Sequence, residues 1–271
     1  MTDTPPDKSS KRPPRAGRRL KRGHKAEAEA QATAQAQAVA AAQAAAAAQG
    51  QAPARKRVVK SVRQLDREAF AQVDRMVAGF AQSRFGNIMP ELAKGFFAGA
   101  RDQAETKLPE IQQAFALFFV YGYRDSAGRR VIDMFGQSGL KLDREQTRVF
   151  EALERTKLVV FAIQSMNPAN KQMAGRDALR EMPITALDHN LFQKVKPGDV
   201  ALAYMFPVGD MWRPLGMATM VPRAKVNLFD QGLGRLAREQ GLAAAQLGEA
   251  RPAQLFWLAY RTAEAVIRSK A

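Results

Sequence analysis

The chain has 271 residues, no cysteine and a formal charge of +16. That length holds one or two domains, and the missing cysteines exclude disulfides, thiolate metal sites and cysteine nucleophiles. No run of apolar residues is long enough for a membrane-spanning helix.

The charge is uneven. Residues 1–60 carry 13 Lys and Arg against 4 Asp and Glu, while residues 61–271 carry 29 against 22. Residues 1–25 form a basic tract in which Pro5, Pro6, Pro13 and Pro14 block helix and sheet. Its cations come in clusters: Lys11 and Arg12, Arg15, Arg18 and Arg19, Lys21 and Arg22, and Lys25. Residues 26–49 are almost pure Ala and Gln behind Glu27 and Glu29. That composition suits a solvated helical spacer ending at Gly50, or equally a low-complexity linker. A second basic knot follows at Arg55, Lys56 and Arg57. Besides Met1, the only large apolar side chains here are Leu20, Val39, Val58 and Val59. The segment cannot bury enough surface to offset the entropy of ordering, so a disordered basic arm is expected. The basic residues are not followed by the apolar stretch of a secretory signal, and the prolines oppose the helix of a transit peptide.

The folded part begins near Val62. Leu65, Ala69, Val73, Met76 and Phe80 recur on one helical face, with Phe70 and Val77 beside them. A second helix is expected from Pro90, carrying Leu92, Phe96 and Phe97 inward, and a third from Pro109 with Ile111, Phe115, Phe118 and Phe119. A short helix around Val131, Ile132 and Phe135 ends at the glycines Gly136 and Gly139. Asp143 and Gln146 have capping-box spacing and open a helix with Val149, Phe150 and Leu153 inside. Four short strands follow, Leu158–Ile163, Ile184–Leu187, Val200–Phe206 and Trp212–Val221. Turns are expected at Asn167-Pro168, Lys196–Asp199 and Gly209-Asp210. Two helices close the chain. One carries Phe229, Leu233 and Leu236 and ends near Gly241; the other starts at Pro252 and carries Leu255, Ala259, Thr262 and Val266. The predicted class is α+β: a helical part over 61–156, a small, mostly antiparallel sheet or partial barrel over 157–222, and C-terminal helices over 223–271, forming one unit behind the arm.

The aromatic helix Phe115–Tyr123, the run Phe150-Glu151-Ala152-Leu153-Glu154, the strand Leu158–Ile163 and the run from Val195 to Ala203 follow in a distinctive order. Over about 113–221 this order resembles a group of uncharacterised bacterial proteins often associated with SEC-C zinc-binding motifs. The resemblance implies the architecture. The SEC-C motif is cysteine-based and this chain has no cysteine, so no zinc site and no catalytic residue carry over.

Catalytic constellations are scarce. His24 lies in the arm, and His189 follows Asp188 in an expected polar turn. A metal site would need Asp188, His189, Asp199 and Asp210 to converge from three loops, so no metal and no cofactor is expected. Gly232 and Gly234 imitate a dinucleotide fingerprint but lack a βαβ unit, and read as two loop glycines before a helix. The sheet offers one candidate surface: Lys194, Lys196, Arg213, Arg223 and Lys225 flank the aromatics Tyr204, Phe206 and Trp212. Cations interleaved with aromatics would stack single-stranded nucleic acid, unless the aromatics are core. The expected function is a non-enzymatic, cytoplasmic or nucleoid-associated protein whose arm makes sequence-independent phosphate contacts to DNA or RNA. The alternatives are an adaptor whose arm binds an acidic protein or membrane surface and, since fold alone does not imply inactivity, an enzyme of unrecognised type.

Overall fold

The computed structural model describes residues 62–268. The arm, including Lys11–Lys25, the Ala/Gln tract and Arg55–Arg57, lies outside the described residues, as do the side chains of Leu65 and Val266.

Helical periodicity sets the first layer. α1 (Val62–Phe85) turns Ala69, Val73, Val77 and Ala81 fully inward, with Phe70, Met76 and Phe80 at the edges of that stripe. α2 (Met89–Phe97) has Pro90 in its first turn. α3 (Gln103–Thr106) is capped by the Asp102 carboxylate, which accepts the Glu105 N–H at 2.8 Å. α4 (Pro109–Leu117) runs into a π-helical turn, Phe118–Gly122, where the Tyr123 N–H reaches back to the Phe118 carbonyl at 2.7 Å. α5 (Val131–Gly136) buries Val131, Ile132 and Phe135. α6 (Arg144–Glu154) opens on the expected capping box: the Gln146 N–H donates to Asp143 at 2.8 Å, and the Asp143 N–H to the Gln146 side chain at 2.9 Å.

Five strands then build a closed barrel in the order β1-β2-β3-β5-β4. They are β1 (Lys157–Asn167), β2 (Gln172–Asp177), β3 (Met182–Leu187), β4 (Val200–Val208) and β5 (Met211–Val221). All pairings are antiparallel except β3 with β5, which run parallel and meet at Ala186 and Trp212. The barrel is thus closed rather than partial, and it has one strand more than the sequence suggests. The missing strand is β2, Gln-Met-Ala-Gly-Arg-Asp, which contains no β-branched or aromatic residue. Its neighbours make it a strand. Gly175 lies so close to the Ala162 carbonyl that a Cβ there would overlap it.

Alternation along the strands sorts two cores. Val159, Phe161, Ile163, Met173, Ile184, Ala186, Ala201, Ala203 and Met205 fill the barrel interior. α7 (His189–Lys194) follows β3 and adds Leu191 to this cluster, as does Val195 just after it. Leu158, Val160, Leu202, Tyr204, Phe206 and Leu215 face outward and pack against the helices. β1 and β4 are therefore apolar on both faces.

A 3-10 turn (Arg223–Lys225) leads into α8 (Val226–Gln240), which ends at Gly241 in the left-handed region, φ 62°. Gly232 and Gly234 lie inside α8, not in a loop before it. A Cβ on Gly232 would meet Leu258 at 2.5 Å, so this glycine serves helix packing. α9 (Ala244–Ala250) is a short helix beyond the two that the sequence pattern predicts, and α10 (Pro252–Arg268) follows. Phe96 ties the helices together, with ring centroids 5.1–6.0 Å from Phe97, Phe115, Phe118, Phe256 and Trp257. The Trp257 indole N–H donates to the Phe96 carbonyl at 2.6 Å. No described helix is long and apolar enough to cross a membrane.

Candidate nucleic-acid interface

One rim of the barrel gathers cations from two stretches of the sequence. The turn Lys196–Asp199 precedes β4, and its Asp199 carboxylate accepts two backbone N–H groups, from Lys196 and from Arg223, each at 2.8 Å. The Gly198 N–H donates to the Ile163 carbonyl at 2.8 Å. Gly198 has φ +95°, and a Cβ there would lie 2.7 Å from the Arg223 Cδ. Only glycine suits that backbone beneath the arginine stem. Asp199 thus pins the end of β5 to the start of β4 and sets Lys196 and Arg223 side by side. Lys194 closes α7 two residues earlier, and Lys225 sits in the 3-10 turn. Lys194, Lys196 and Arg223 are exposed and Lys225 half-buried. None of the four has a carboxylate within ion-pair reach among the described residues. Asp199, the acid between Lys196 and Arg223, is engaged by backbone donors.

The other expected members are divided. Tyr204 and Phe206 face the helices: Tyr204 lies 6.1 Å from Tyr121, Phe206 lies 5.9 Å from Phe70, and both are buried. Neither can stack on a base in this conformation. Burial also raises the Tyr204 hydroxyl above the usual phenol range. Trp212 is half-buried against the barrel interior. Arg213 is exposed and pairs with Phe206 in register, so it points away from Trp212. It lies near the start of β5, at the opposite end of that strand from Arg223.

Asp188 and His189 open a helix instead of forming a turn. The Asp188 carboxylate caps α7 by accepting the Leu191 N–H at 2.6 Å, and the His189 ring lies 3.0 Å from the Gln193 amide. Asp199 precedes β4, whereas Asp210 lies in the turn at its far end, so the four candidate metal ligands do not converge.

Beside the rim runs a groove of about 500 Å³ between β5, α7, α4 and α10. Leu202, Tyr204 and Phe256 line it with apolar surface, and Lys194, Asp188 and Glu110 line it with charge. Lys194 therefore belongs to both rim and groove. Sequence reasoning misses this cavity because its walls come from segments far apart in the chain, and no local pattern announces it.

The model of a family of unknown function (DUF7986) matches residues 104–233, from α3 through the barrel into α8. No curated protein and no solved structure matches the chain.

Proposed function

We propose that this is a nucleic-acid-associated protein without catalytic activity of its own. In this reading its basic arm makes sequence-independent phosphate contacts, and the rim of its barrel adds a second phosphate-binding surface. The observation that carries the proposal is the set of four cations, Lys194, Lys196, Arg223 and Lys225, held together without carboxylate partners among the described residues. A surface of that kind suits a polyanion, because neutralising phosphates releases condensed counterions. The strand order supplies support by analogy. A closed five-stranded barrel in the order 1-2-3-5-4, with a helix between its third and fourth strands, is shared with oligonucleotide- and oligosaccharide-binding barrels. A fold argues for function only weakly, so the charges carry more of the argument. The proposed place of action is the cytoplasm or the nucleoid.

The test is fluorescence anisotropy with two unrelated duplexes and one single strand, in near-physiological salt. Full-length protein is compared with a variant in which Lys194, Lys196, Arg223 and Lys225 are changed to Gln. Weaker binding of the variant to all three, by similar factors, is the expected result. Equal binding by both proteins removes the rim from the interface. Failure of full-length protein to bind any of the three rejects the reading and favours an acidic protein or membrane surface as the partner.

A further inference from the structure

A second, smaller cavity of about 220 Å³ opens where the C-terminus of α6 passes into β1, between the π-helical turn and α9. Its walls carry five cations: Arg124, Arg130, Arg155, Lys157 and Arg180. Arg130 is fully engaged. It pairs with Asp133 and donates to the carbonyls of Glu154 at 2.6 Å and Thr156 at 2.8 Å, closing the carbonyl end of α6. Arg180 is engaged on one side only. Its Nη1 donates to the Leu158 carbonyl at 3.1 Å and to Asp177 at 2.7 Å, but its Nη2 is buried without a hydrogen-bond partner. Glu249 approaches that Nη2 only to 3.9 Å and meets Arg124 at 3.3 Å. One carboxylate thus spans two guanidinium groups and bonds neither at a normal charged distance. Its side chain is 58% exposed and free to leave.

A second wall residue has the same deficit. Thr156 is 1% exposed and its Oγ1 has no partner. Buried polar side-chain atoms are almost always satisfied, so each exception calls for a reason. Among the described residues there are three, and two belong to the walls of this one cavity. Gly248 contributes space: a Cβ there would press on the Arg180 Nη2 at 3.2 Å.

We propose that this cavity binds a phosphate monoester. The phosphate oxygens replace the Glu249 carboxylate between Arg124 and Arg180 and accept the Thr156 hydroxyl. A tetrahedral dianion offers three terminal oxygens to three separate donors, which a carboxylate cannot do. The recess admits a phosphoryl group and a few attached atoms, but not the backbone of a duplex. The site stands apart from the nucleic-acid reading, since none of its walls belongs to the arm or the rim.

The test is calorimetric titration of the full chain with inorganic phosphate at constant ionic strength. One saturable site is expected. Glu249→Gln, which removes the competing carboxylate charge, binds several-fold tighter. Thr156→Val binds about tenfold more weakly, the worth of one hydrogen bond to a charged group. Its melting temperature does not fall, because the hydroxyl it loses has no partner in the free protein. Phosphate held by arm cations would be indifferent to Thr156. Glycerol 3-phosphate and a 5′-phosphorylated dinucleotide then compete for the site. Displacement by the first alone assigns it to a small ester, and displacement by the dinucleotide assigns it to a nucleic-acid end. Displacement by neither overturns the proposal, as does the absence of saturable phosphate binding in both wild type and Glu249→Gln, or a Thr156→Val affinity equal to wild type.

Discussion

Glu105 and Arg261 join α3 to the C-terminal helix. The Arg261 guanidinium binds both Glu105 carboxylate oxygens, donates to the Gly99 carbonyl at 2.6 Å and lies 4.8 Å from the Trp257 ring centre. The Arg261 hydrogen bond, helped by the Arg101 N–H, holds the Glu105 carboxyl down from 4.5 to about 2. The folded state therefore binds fewer protons than the unfolded state between those values. This contribution to stability is complete above 4.5 and is lost as pH falls toward 2. Glu105→Gln should lower the urea midpoint near neutral pH, and the gap from wild type should narrow steadily as pH falls through that window. A gap that stays constant with pH would show that the carboxylate charge is not what stabilises the contact. Beside this pair, Gly99 lies against the Trp257 ring so closely that any Cβ would overlap it. Gly99→Ala should cost about 1–3 kcal/mol by overpacking, read as a lowered melting temperature.

At the scale of elements, one cap is plainly legible in the sequence, that of α6, while the helices capped by Asp102 and Asp188 are not expected from it. Asp143 and Gln146 bond reciprocally as their spacing predicts, and Asp143 is exposed with no other role in sight. Asp143→Ala should destabilise the fold by about 1 kcal/mol, measured by chemical denaturation, with the barrel contacts untouched. Periodic apolar residues likewise locate α1, α2, α4, α8 and α10, because each carries a stripe that only a helix can bury on one side. The elements that escape carry no such stripe. β2 offers one large apolar residue, Met173, and is a strand because β1 and β3 bond both its edges. α9 is alanine-rich and short, and is fixed by Leu247 in the core. The candidate surface fails in part for a related reason. Alternation in β4 places Tyr204 and Phe206 on one face, but sequence cannot say which face meets helices and which meets solvent. Each rim cation is visible singly in the sequence. That Asp199 sets Lys196 beside Arg223 is a contact between distant segments and has no local signature.

Across the whole molecule, the cations proposed to meet nucleic acid lie in two places, the arm and the barrel rim, and this makes the response to salt diagnostic. The arm contributes 13 cations and the barrel rim four. Suppose about six engage a duplex at once; log affinity against log salt then falls with a slope near −5. Changing Arg18, Arg19, Lys21 and Arg22 to Gln should flatten that slope by up to about 3.6, at about 0.9 for each phosphate no longer neutralised. Changing the four rim cations should flatten it further, the two sets together removing no more than the whole slope of about 5. If arm and rim grip the same nucleic acid, the combined variant should show both reductions. If they serve different partners, the rim changes should leave the DNA slope where it was. Melting temperature provides the control. The rim cations make no ion pair among the described residues, and surface substitutions away from such contacts usually stay within about 0.5 kcal/mol. Phosphate contacts read no bases, so binding should weaken equally on unrelated sequences. A loss confined to one sequence would instead mean that the barrel reads base edges, and would move the search for the interface from the rim to the uncommitted groove beside Lys194.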